Sequence, residues 1–184
     1  MKKRIGVFIG EIAQNYQKLV TKYVSRRANE LGYDTVFICS YGSYNNDIVY
    51  AIGGKACVYL PDCSSFSGII VAEDVFDISG MGDELYDVIK RDATCPVVYL
   101  RTIRDGFYSV MPENQKSMEK MVRHFTDDHG FRDICYMSGK KGTEDAKDRL
   151  NGYLSVMEEK GIEVTDNMIF HGDYWRNKGK EAVD

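Results

Sequence analysis

The sequence predicts an α/β fold: a doubly wound parallel sheet forming one lobe, followed by the start of a second α/β lobe. Short apolar runs bounded by glycine, such as Arg4-Ile-Gly-Val-Phe-Ile-Gly10 and Gly68-Ile-Ile-Val-Ala72, recur along the chain and suit strands buried on both faces. Stretches with helical spacing lie between them, and strand alternating with helix is the pattern of a parallel sheet built with crossovers. Three helices also end alike, in Leu31-Gly-Tyr33, His129-Gly-Phe131 and Lys160-Gly-Ile162, where glycine supplies the C-cap before a strand.

In chain order, the first strand leads through a polar loop, Glu11 to Gln17, into a helix with Val20, Tyr23, Val24, Ala28 and Leu31 on its apolar side. Thr35 to Cys39 makes the second strand, and a β-α-β opening of this length implies parallel pairing with a right-handed crossover. Asn45 to Pro61 reads as a helix despite Gly53-Gly54, with Val58-Tyr-Leu60 open between helix end and strand. The strand Gly68 to Ala72 ends in Glu73-Asp74. Leu85, Val88 and Ile89 mark the next helix, and Pro96 to Leu100 the fourth strand. Beyond the turn at Arg104-Asp105-Gly106 lies Tyr108-Ser-Val110, then a helix carrying Met118, Met121, Val122 and Phe125, with Asn114 expected as its N-cap. The apolar runs restart near Asp133 with a strand at Ile134 to Gly139, a helix (Leu150, Leu154, Met157), a strand at Met168 to Phe170 and a helix starting near Asn177. The expected division is residues 1–129, whose last helix crosses over, and residues 130–184. A domain seldom ends in the first turns of a helix, so the second lobe is expected to continue past Asp184 in a longer protein.

Composition narrows the function. Net charge is −4 with a pI near 5.5, and no run of Lys and Arg is long enough to track a phosphate backbone, so direct contact with nucleic acid is not expected. Met1-Lys-Lys-Arg is followed only by Ile5 to Ile9 before Glu11 breaks the apolar run, short of the roughly 7–15 residues of a secretory h-region. No membrane span is legible, and a cytoplasmic location is expected. The five cysteines lack C-x-x-C spacing, which argues against structural zinc and a disulfide framework. Cys39, Cys95 and Cys135 fall in or beside strand-like runs and read as buried thiols, whereas Cys63 reads as loop. Dinucleotide, P-loop and nucleophile-elbow motifs are missing, and His124, His129 and His171 do not fall at metal-ligand spacing. No enzyme, metal or cofactor is therefore expected.

Ligands of open α/β sheets bind beyond the carboxyl ends of the strands. The polar residues there are Glu11, Asn15 and Tyr16 after the first strand, Glu73 and Asp74 after the third, Arg101 after the fourth, Ser138 after the strand at Ile134, and Asp173 and Tyr174 after the last. Arg149 and Tyr153, one turn apart, lie near the edge of their helix's core face, where Arg149 is also within reach of Asp145 on the preceding turn. Gly152 inside that helix costs about 1 kcal/mol relative to alanine and hints at close packing against a neighbour.

Taken together, Arg4-Ile-Gly-Val, Leu31-Gly-Tyr33, Gly68-Ile-Ile-Val, Cys95-Pro-Val-Val, Ile134-Cys-Tyr-Met-Ser-Gly, Arg149-Leu-Asn-Gly-Tyr153, Gly161-Ile and Gly172-Asp-Tyr-Trp…Gly179 resemble the effector-binding core of LacI/GalR-type regulators. The resemblance covers essentially the whole chain and implies the type I periplasmic-binding-protein fold, in which two lobes close on a small molecule and the closure is passed to an output domain. It further implies that Arg149 hydrogen-bonds the ligand and that Tyr174 stacks on it. Residues of the Glu11 to Gln17 loop, including Asn15 and Tyr16, would contribute from the first lobe, and Arg101 and Glu113 stand where the family often carries ligand-facing aspartates. A small-molecule effector and a homodimer are the implied partners.

The departures from the family are informative. Its usual Asn-Pro-aromatic-aromatic loop is here Gln14-Asn-Tyr-Gln17, its Val-Asp-Asn is Pro112-Glu-Asn114, and Arg101 reverses a charge. A sugar is therefore not the only ligand to expect: a nucleoside or related molecule is a candidate as well, and an anionic ligand would suit Arg101 and Arg149 together. With the first strand starting at once and no DNA-binding head before it, the output is expected beyond Asp184. A diguanylate cyclase (GGDEF) or AraC-type module is the alternative to a LacI-like regulator, with the cleft then vestigial and the domain a dimerisation platform.

Overall fold

A computed structural model describes residues 3–41, 48–76, 78–173 and 178–181. The chain divides into two compact units, Met1–Met111 and Pro112–Asp184. In the first, strands β1 (Arg4–Gly10), β2 (Asp34–Ser40), β3 (Gly68–Ala72), β4 (Val97–Leu100) and β5 (Tyr108–Val110) form one sheet in the order β2-β1-β3-β4-β5. Every pairing is parallel. The connection from β1 to β2 runs one way along the sheet and all later ones run the other, which with right-handed crossovers makes the sheet doubly wound. Helix α1 (Asn15–Glu30) joins β1 to β2, α2 (Ile48–Ala56) and the 3₁₀ turn Cys57–Tyr59 precede β3, and α3 (Met81–Asp92) precedes β4. Of the stretch Asn45 to Pro61, residues 48–59 are therefore helical, and Val58-Tyr-Leu60 is a helix end.

The core of this unit packs Phe8, Ile69, Val71, Val97 and Tyr99 of the sheet against Val58, Met81, Leu85 and Ile89. Cys63 lies in a connecting turn, in keeping with its loop reading, yet is buried in this core at 1% exposure, while Cys135, expected to be buried, is exposed. The reason is local: Asp62 accepts from the Ser64 amide at 3.0 Å and caps a 3₁₀ turn that swings Cys63 inward. On α1 the inward face is narrower than expected. Ala28 is buried and Val20 and Val24 half-buried, but Tyr23 and Leu31 are exposed.

The second unit comprises α4 (Asn114–Arg123), which continues into a π-helical turn His124–Asp128, strand β6 (Tyr136–Ser138), α5 (Glu144–Glu159), strand β7 (Ile169–His171) and α6 (Lys178–Glu181). Strands β6 and β7 pair in parallel. Compactness places α4 in this unit, ahead of the 129/130 division drawn from the sequence, because α4 packs along α5. A Cβ on Gly152 would meet the Gln115 carbonyl oxygen at 2.5 Å and Met118 Cβ at 3.0 Å. Val122, Tyr136, Tyr153, Val156 and Met157 form the core. Met121 is exposed, and Tyr153 is buried rather than at the edge of its helix face. Its hydroxyl donates to the Ile134 carbonyl at 2.8 Å, and its ring stacks on Tyr136 at 5.1 Å. The strand thus begins at Tyr136, two residues after the expected Ile134.

The three repeated helix ends take the expected form. Gly32, Gly130 and Gly161 have φ of 81°, 70° and 63°. Tyr33 N donates to Ala28 O and Ile162 N to Met157 O, each at 2.9 Å, closing Schellman caps.

Candidate functional site

In the first unit the register sets the site. Ile9 pairs with both Cys39 and Ala72, and Val71 with Tyr99, so the residues just past β1, β3 and β4 emerge side by side at the carboxyl edge. The winding reverses between β1 and β3, the place where open α/β sheets leave a crevice. Two non-glycine residues there adopt positive φ, Glu11 at 46° after β1 and Arg101 at 58° after β4. Such conformations cost on the order of 1–3 kcal/mol and cluster at ligand-handling sites. Gly10 has its own steric reason, since a Cβ would stand 2.3 Å from the Val75 carbonyl oxygen where the chain after β3 crosses over β1.

Arg101 and Tyr16, both predicted site residues, come together. The Arg101 guanidinium lies 5.3 Å from the centroid of the Tyr16 ring, and its Nη1 is 3.2 Å from Asp74 Oδ2. Burial pushes the Asp74 carboxyl above its usual range, with Arg101 pulling the other way. Tyr16 is 38% exposed on its outer side. Asn15 is exposed as the first residue of α1, and its side chain does not serve as the cap, a position held by Gln14. Glu73 is committed elsewhere: both its oxygens accept from Arg104, whose Nη2 also lies 2.8 Å from Asp83 at the start of α3. Arg104, not singled out by the sequence, is held strongly in its charged form by that pairing. A turn residue four positions past its strand gave no signal that it would fold back onto Glu73.

In the second unit Arg149 belongs to a three-residue network. Its Nε donates to Asn114 Oδ1 at 3.0 Å, Asn114 Nδ2 donates to Asp145 Oδ1 at 2.7 Å, and Arg149 Nη2 lies 3.8 Å from Asp145 Oδ2. Asn114 and Asp145 are buried, whereas the Arg149 side chain is 34% exposed. Asn114 is thus not the N-cap of α4. Glu113 occupies that position, and the amide turns inward to bridge the buried carboxylate and the arginine. Glu113 itself is exposed and paired with Lys116 at 2.7 Å. Asp173 is half-buried beyond β7, following Gly172, whose amide donates to the Ser138 carbonyl at 2.9 Å. Tyr174 lies outside the described residues. A shallow, mostly apolar depression of about 260 Å³ opens between Ser138, Thr143, Lys147 and His171, at the carboxyl ends of β6 and β7. Among the described residues no group of three or more His, Cys, Asp or Glu could hold a metal, and no helix is long and apolar enough to cross a membrane.

No protein-family profile matches the sequence, and no curated protein is similar to it. Solved structures do match. A LacI-type transcriptional regulator from a Rhodococcus species superposes with a TM-score of 0.72 at 20% identity, over 98% of this chain and 61% of that one. The Escherichia coli transcriptional repressor ascG gives 0.70 at 20% identity over 98% and 63%. A sugar-binding LacI-family regulator from Escherichia coli, solved with phosphate, gives 0.68 at 18% identity over 97% and 61%. The fold is therefore the one these LacI-family transcriptional regulators share, as the sequence resemblance implied. The neighbours are regulators, not enzymes, and the chain spans about three fifths of their length.

Proposed function

We propose that this chain is the small-molecule sensing part of a LacI-like regulator or signalling protein, non-catalytic in itself, that passes effector binding to an output segment. The observation that carries the reading is Arg101: a charged residue held at positive φ at the carboxyl edge of the sheet, with its guanidinium fixed over Tyr16 by Asp74. Backbone strain of this kind persists where surrounding structure over-determines it, and here it points a planar cation to the edge where this fold binds ligands. Asn15, Tyr16 and Arg101 are the proposed contacts from the first unit, and Arg149, Asp173 and Tyr174 those from the second. The Arg101 guanidinium favours an effector with an anionic or polyhydroxylated face, such as an organic acid, sugar or nucleoside.

The test is a thermal-shift panel of those three classes on the purified protein. One class raises Tm by several degrees at about 100 times its Kd, and Arg149→Ala and Arg101→Gly each abolish the rise. A panel without any shift on folded protein overturns the reading.

The pairing of Glu73 with Arg104 favours a second reading, in which the charges at this edge satisfy one another and the domain serves as a homodimerisation platform for a GGDEF or AraC-type output. An intact dimer that ignores the whole panel would support it.

A further inference from the structure

The geometry points to a two-imidazole site for a late first-row divalent metal ion, formed by His124 and His129 at the end of α4. Their Nε2 atoms are 3.1 Å apart, with ring centroids at 4.7 Å and planes crossing at 86°. A head-on N–H···N bond of that length would hold the centroids about 5.4 Å apart. The shorter separation means that the rings are tilted off a head-on approach, an arrangement in which both nitrogens can reach one ion beside the line joining them. With metal–nitrogen bonds of about 2.0–2.1 Å, this spacing corresponds to an angle of roughly 100° at the metal.

The rings are held in place for this role. Asp128 Oδ2 lies 2.6 Å from His124 Nδ1. A carboxylate there keeps the proton on Nδ1 and leaves the Nε2 lone pair facing the partner, the support that metal-ligating histidines usually have. His129 stacks on Phe131 at 5.5 Å and 17°, and Phe131 N donates to Phe125 O at 3.0 Å, tying the turn back to the helix. The wider turn at His124–Asp128 explains why the spacing hides the pair. Five residues on a regular α-helix differ by about 140° in direction, and one π-type turn brings the fifth back over the first. The site is open, with the His124 side chain 54% exposed. As no third protein ligand gathers among the described residues, water fills the other positions. Imidazole donors suit zinc, nickel and copper(II).

The experiment uses untagged, chelator-stripped protein carrying Cys135→Ser, which removes an exposed thiol, and Ni²⁺ as the probe. Titration calorimetry should find one ion per chain. Histidine ring resonances of His124 and His129 should broaden at stoichiometric Ni²⁺ while those of His171 persist. His124→Ala or His129→Ala should each weaken binding at least tenfold, and Asp128→Asn several-fold. All three positions are exposed, and unchanged melting temperatures would separate loss of the site from loss of the fold. Equal broadening of all three histidines, or affinity indifferent to both alanine variants, overturns the proposal.

Discussion

Asn114 joins two kinds of chemistry, since its carbonyl oxygen accepts a hydrogen bond from Arg149 Nε and its amide nitrogen donates to a carboxylate that is 8% exposed. Asn114→Ala removes both bonds and leaves Asp145 buried with one donor fewer, at a cost of about 2 kcal/mol, read as a lower urea midpoint at unchanged m-value. Arg101→Gly acts in the opposite sense on the backbone, because glycine accepts φ of 58° without penalty. The relief of strain offsets the lost ion pair, so stability stays within about 1 kcal/mol. The Asp74 carboxyl, already lifted by burial, then titrates higher still without the cation, which a carboxyl NMR titration would follow. Cysteine reactivity tests burial independently. The Cys63 thiol is pushed up to about 11 by burial, helped by Asp92, so at pH 8 a disulfide reagent should label Cys135 quickly and Cys63 only after unfolding. The folded state keeps that proton at a pH where the unfolded chain has lost it. The contribution of this thiol to stability is therefore complete below pH 9 and is lost, by on the order of 2 kcal/mol, as pH rises from about 9 to 11.

Among the elements, the α4–α5 pair is the most tightly specified, because Gly152 brings the α5 backbone against the Gln115 carbonyl. Gly152→Ala gains about 1 kcal/mol of helix propensity, yet its methyl cannot fit at 2.5 Å from a backbone oxygen. The overpacking costs about 2–3 kcal/mol, giving a net loss visible as a fall in Tm. Local signals of this kind were legible in the sequence: glycines ending helices, a glycine inside one, and strands bounded by glycine all have one-residue physical causes. What was not legible required knowledge of where a side chain turns. Asn114 reads as a cap by type and position, and only the buried carboxylate one helix away draws it inward. Arg104 and Glu73, 31 residues apart, carry no periodic mark of their pairing, and the π-helical turn that joins His124 to His129 breaks the very periodicity by which sequence spacing is judged. Cys63 shows the same limit at shorter range, where an Asp-capped turn rather than an apolar run decides burial.

For the molecule as a whole, the two units differ in how much structure supports each. The first has a five-stranded parallel sheet and a core of large, fully buried side chains such as Phe8, Ile69, Leu85, Ile89 and Tyr99. Among its described residues the second has two strands of three residues each, and its core centres on Val122, Tyr136, Tyr153, Val156 and Met157. A two-stranded sheet is marginal in water unless packing supports it, and a chain of this size buries a smaller fraction of its surface than a larger domain. The LacI-family structures that share the fold extend well beyond the length matched here. Expressed separately, residues 1–111 should therefore unfold in one cooperative thermal transition by circular dichroism. Residues 112–184 should show helical signal from α4 and α5 that declines gradually with temperature, without a sharp midpoint. A cooperative transition in the smaller piece would mean that the α4–α5 contact at Gly152 and the stacked Tyr136–Tyr153 pair hold this unit together by themselves.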